Sequence, residues 1–161
     1  MASVIQPYAT AFQQIIQRNL EFVLAKVRTA EGGLSADLRE QAFHTLSYGL
    51  NTPTAWSATQ RLLLSLSPKL EPLGYWQEWI LYLEQGVLFC REQADAPTQA
   101  LLNLQLGRFY RLCNRLEEAH ACLTASAAAF AEHYIRTIKP KHSPSWPTWR
   151  AVAAKTKRPV G

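Results

Sequence analysis

Residues 100–131 read ALLNLQLGRFYRLCNRLEEAHACLTASAAAFA. Leu102, Leu106, Phe109, Tyr110 and Cys113 recur at steps of three and four, the spacing of one helical face. Gly107 interrupts that face, and a glycine inside a helix costs about 1 kcal/mol relative to alanine. Its position beside Leu106 therefore predicts a neighbouring helix at close approach, with Ala119 as the matching small residue. Asn114 suits the left-handed conformation that ends a helix. Glu117 and Glu118 suit the positive start of the next. The turn reads as about two residues, short enough to force two antiparallel helices into contact.

Working outward, the same periodicity divides the rest of the chain into helices with punctuated ends. Tyr8 to Arg28 carries a wide apolar stripe of Phe12, Ile15, Ile16, Leu20, Val23 and Val27, closed by Glu31-Gly32-Gly33. Ser35 is placed to cap a second helix running to about Tyr48, with Asp37 in its first turn. Thr52 and Pro53 suit the cap and first position of a third, and Ser67-Pro68 is expected to kink or restart it. A fourth helix runs from Tyr75 to about Ala94, where Trp76, Trp79, Ile80, Leu83, Val87 and Cys90 form its inward stripe. Tyr75 falls outside that stripe and is expected at the surface. Asp95-Ala96-Pro97 opens the fifth helix, giving six in three successive hairpins over residues 1–138.

The set Leu106, Gly107, Tyr110, Ala119, Leu123 and Ser126, with Asn114 at the turn, resembles one tetratricopeptide (TPR) repeat. The segment GYWQEWILYLEQG resembles entry helices of bacterial tetratricopeptide arrays attached to signalling ATPases and transcriptional regulators. Residues 53–94 then read as a degenerate repeat, since Gly74 and Gly86 do not share the register of Gly107 and Ala119. Residues 8–50 show helical periodicity alone. The resemblance implies an all-α fold of antiparallel hairpins stacked as a short right-handed solenoid. It also implies a non-catalytic protein- or peptide-binding module, a scaffold or the sensor part of a regulatory system. In this family the first helix of each repeat lines the concave face, which implies Leu101, Leu104, Arg108 and Arg111 as the lining here. Two arginines one turn apart can grip carboxylates. An acidic or C-terminal peptide is the expected partner, with Leu101 and Leu104 accepting an apolar side chain.

The net charge of +5 is unevenly placed. Lys139, Lys141, Arg150, Lys155, Lys157 and Arg158 lie in a tail without acids, and the preceding 138 residues carry a net −1. Residues 139–161 also hold four of the nine prolines, with Trp146 and Trp149. This tail supports a second expectation, a nucleic-acid contact through Lys155, Lys157 and Arg158. A third is that the chain is a homodimerising fragment of a longer array, because an uncapped stack exposes apolar surface. Alternatively, Trp146 and Trp149 fold back over the open end.

Nothing in the sequence points to chemistry. His120 and His133 sit thirteen residues apart, roughly 20 Å along a helix, and cannot share a metal. Cys90, Cys113 and Cys122 lack metal-ligand spacing and read as buried free thiols. Gly32-Gly33 lacks the lysine and strand context of a phosphate loop. Neither enzyme activity nor a metal or cofactor is expected. No apolar run reaches the roughly 20 residues needed to cross a membrane, and the N-terminus lacks the pattern of a signal peptide. The reading is a cytoplasmic protein.

Overall fold

The computed structural model describes residues 5–31 and 33–138. Six α-helices follow one another: α1 (Ile5–Thr29), α2 (Ala36–Gly49), α3 (Trp56–Leu70), α4 (Trp76–Glu92), α5 (Ala96–Leu112) and α6 (Leu116–Ile138). Single 3-10 turns, Pro53–Ala55 and Glu71–Leu73, flank α3. No strand occurs among the described residues. The chain divides into two compact units, Met1–Phe130 and Ala131–Gly161. Of the second unit the structure describes only residues 131–138, the end of α6. The basic tail, including Lys155, Lys157 and Arg158, lies outside the described residues, as do Trp146 and Trp149.

Local chemistry explains several helix ends. Ser35 caps α2 by accepting from the Leu38 N–H at 3.2 Å. Asp95 caps α5 in the same way, accepting from the Thr98 N–H at 3.2 Å. The ends of α4 and α5 share one device. Ala94 (φ 54°) and Asn114 (φ 59°) are left-handed. Each lets the following N–H reach back, Asp95 to the Cys90 carbonyl at 2.9 Å and Arg115 to the Tyr110 carbonyl at 2.8 Å. The α5–α6 turn spans three residues, 113–115, one more than its sequence suggests.

Two expected boundaries differ. Pro68 lies inside α3, which continues to Leu70. Leu62, Leu63, Leu66 and Leu70 form one buried face across the proline. Only the final turn loses a backbone bond, so burial outweighs the break. Thr52 makes no capping bond and instead donates to the Tyr48 carbonyl at 2.9 Å, while a 3-10 turn precedes α3.

The core is continuous from Ile16 in α1 to Ala119 in α6. Its spacing repeats. Leu20, Val23, Leu24 and Val27 in α1, Leu63, Leu66, Ser67 and Leu70 in α3, and Asn103, Leu106, Gly107 and Tyr110 in α5 share one interval pattern, and all are buried. The second helices match likewise: Ala42, Leu46 and Gly49 in α2, Trp79, Leu83 and Gly86 in α4, and Ala119, Leu123 and Ser126 in α6. All nine of these are buried except Leu123, which is half-buried. Equivalent positions make equivalent contacts. A methyl group at Gly49 would lie 3.1 Å from Leu20, and one at Gly86 would lie 3.0 Å from Leu63. Ser126 instead donates to the Ala100 carbonyl at 2.8 Å, joining α6 to α5. Ser67 and Trp79 connect α3 to α4, the indole N–H donating to Ser67 Oγ at 3.1 Å while that hydroxyl donates to the Leu63 carbonyl.

Candidate functional site

On α5 the buried set occupies one side, and the four residues expected to contact a peptide lie beside it. Leu101, Arg108 and Arg111 are exposed and Leu104 is half-buried. Their steps of three, four and three keep them on one row. The two arginines differ in their surroundings. Arg108 reaches across to the end of α3, where Nη2 donates to Glu71 Oε2 at 2.7 Å. Arg111, one turn on, makes no ion pair among the described residues. One of the two guanidiniums thus already holds an internal carboxylate. Glu71 is invisible to local pattern, because it lies 37 positions away from Arg108 in the chain.

A second polar junction sits where α4, α5 and α6 meet. Tyr110 donates to Glu84, and the Arg115 guanidinium lies 4.5 Å over the Tyr110 ring. Burial raises the tyrosine above its ordinary range, and the bond to the Glu84 carboxylate raises it further. The phenol is a hydrogen-bond donor here, unsuited to act as a base near neutral pH. Gln77, Ile80, Leu81, Glu84, Cys113 and Arg115 line a shallow groove beside it.

A third junction ties the start of α3 to the ends of α4 and α5. Asp95 accepts from Trp56 Nε1 at 3.0 Å, and Trp56 stacks on Phe89 with centroids 4.5 Å apart. Burial alone would raise the Asp95 carboxyl, but hydrogen bonds from Trp56 and Thr98 outweigh it and hold the group below the usual range. Thr98 Oγ1 also bonds Gln60. The capping role of Asp95 is legible in sequence; its indole partner is not.

The remaining residues singled out in the sequence are dispersed. Trp79 is fully buried and Trp76 half-buried, its indole donating to the Glu71 carbonyl at 2.7 Å. Tyr75 is exposed at the edge of α4, with the Arg39 guanidinium 4.0 Å over its ring. Of the three free cysteines only Cys90 is buried; Cys113, at the C-cap of α5, and Cys122, on α6, are half-buried. Burial, then the nearby Asp95 charge, pushes the Cys90 thiol up to about 12, so it is a core group and no nucleophile. His44, His120 and His133 are exposed on separate stretches of helix. No helix among the described residues is long and apolar enough to cross a membrane. No family model, curated protein or solved structure matches the chain.

Proposed function

We propose that this chain is a non-catalytic peptide-binding module built of stacked helical hairpins, similar to tetratricopeptide repeats. The interval pattern shared by the three hairpins supports the stacking, since repeat units of that kind bury matching positions against one another. The observation that carries the functional reading is the surface row Leu101, Leu104, Arg108 and Arg111 on α5. Its ligand is an acidic or C-terminal peptide. Arg111 grips a carboxylate, and Leu101 and Leu104 accept an apolar side chain. Glu71 is an internal competitor for Arg108, so it weakens the site and restricts it to peptides acidic enough to share or displace that pair. Three free thiols support a reducing, cytoplasmic setting.

The test is selection from a displayed peptide library, followed by fluorescence anisotropy on the enriched sequences. Enrichment of acidic or free C-terminal carboxylates is expected. Arg111→Glu should weaken their binding by about tenfold or more, equivalent to about 1.4 kcal/mol. Glu71→Gln should tighten it by releasing Arg108. Selection without acidic preference, or affinity indifferent to Arg111→Glu, sinks the reading.

A further inference from the structure

We propose, resting on the reading of α5 as the peptide site, that Gln105 is a further contact residue of that site. Its side-chain carbonyl, unpaired in the free protein, turns outward to accept a main-chain N–H from a bound peptide held in extended form. Gln105 Oε1 is buried and has no hydrogen-bond partner, the one such side-chain atom among the described residues. Folded proteins pair nearly all their buried polar atoms, because an unpaired one loses its bond to water without replacement.

The seam between α3 and α5 gives no structural reason for a glutamine at this place. Thr98, seven residues earlier and on the same side of the helix, bonds Gln60 of α3 through Oγ1. Arg108, three residues later, bonds Glu71 at the end of α3. Both ends of the seam are thus joined by side chains that find partners. Gln105 lies between them, and its carbonyl joins nothing. A methionine or leucine would fill the same half-buried space without stranding a polar atom.

The surface row supplies the reason. Leu101 lies four positions before Gln105, Leu104 immediately before it and Arg108 one turn on. Leu101 and Arg108 are exposed, whereas Leu104 and Gln105 are half-buried, so the glutamine stands at the lip of the row. Its flexible stem lets the amide swing between staggered positions, from seam to surface, without moving the backbone. The arginines take a carboxylate and the leucines an apolar side chain, which leaves the peptide's main chain without a contact. A carboxamide oxygen accepts from an N–H, and an extended peptide offers one at every residue except proline. A helical peptide beyond its first turn keeps its own paired. Gln105 therefore selects an extended peptide, and the unpaired state of the free protein ends when that bond forms. The same atom has opposite effects on folding and on binding.

The test pairs stability with affinity. Gln105→Met should raise the urea midpoint of the free protein. It should also weaken binding of a synthetic copy of the most enriched displayed peptide by about fivefold in fluorescence anisotropy. A second measurement keeps the chain native, using copies of that peptide with a single N-methyl group at successive main-chain nitrogens. At one position the native chain should lose about fivefold and Gln105→Met nothing further. A glutamine satisfied within the fold gives the other pattern, a lowered midpoint in Gln105→Met, and overturns the inference. So does an unchanged affinity, or N-methyl losses that are equal in the two chains at every position. Where Arg111→Glu still weakens binding tenfold in those cases, only the role of Gln105 falls and the peptide reading of α5 stands. Where Arg111→Glu is also without effect, or no peptide is enriched, both fall.

Discussion

A methyl group added at Gly107 would sit 2.5 Å from Leu123 Cγ, 2.7 Å from its Cδ2 and 3.2 Å from the Ala119 carbonyl oxygen. Leu123 is held between α5 and α6 and cannot swing aside at its branch point. Gly107→Ala should therefore destabilise the protein by about 1–3 kcal/mol despite the better helix propensity of alanine, a loss read directly from urea unfolding. Ala94 presents the opposite case. It adopts the left-handed conformation that the α4–α5 turn requires while carrying a Cβ. Ala94→Gly should raise stability by about 1 kcal/mol in the same assay. Gly107 announces its role in sequence because a glycine inside a helix is costly without a cause. Ala94 does not, since alanine is the best helix former and gives no hint of a positive φ.

Between elements, hydrogen bonds in the interior fix which helices meet. Ser67→Ala would leave the buried Trp79 indole N–H without its acceptor, an expected loss of about 1–3 kcal/mol in urea unfolding. Asp95 joins α3, α4 and α5, and its folded-state carboxyl is held below the unfolded value of about 3.9. Because the folded pKa is the lower one, the charged form stabilises fully above about pH 4, and this contribution disappears as pH falls through the folded value. Acid titration of the urea midpoint should show that decline in the native chain and a shallower one in Asp95→Asn. The two profiles coinciding below pH 4 would show that Asp95 carries no such linkage. Both partners, Trp56 and Ser67, escape a sequence reading for the same reason: capping and helical periodicity act over four residues, whereas these bonds close loops of 39 and 12. The restart read at Ser67-Pro68 does not occur, because local propensity is weaker than a continuous buried leucine face.

At the scale of the molecule, one apolar core runs without interruption from α1 to α6. Hairpins that share a core should unfold together, so circular dichroism and the fluorescence of Trp56 and Trp79 should report coincident transitions. Separate midpoints would mean that the hairpins are independent. The sequence by itself determined the number of helices, the left-handed turn at Asn114, the cap at Ser35, the break at Asp95-Ala96-Pro97 and most of the buried stripes, because each is a matter of local spacing and backbone conformation. Tertiary structure alone decided that Arg108 is engaged by Glu71 while Arg111 makes no ion pair among the described residues. It also decided that Phe12, Ile15 and Phe22 of α1 are exposed while the residues at matching intervals, Ala55, Ala58 and Ser65 at α3 and Asp95, Thr98 and Gln105 at α5, are buried or half-buried. Periodicity marks an apolar face, but whether that face meets a neighbour depends on which hairpin precedes it in space.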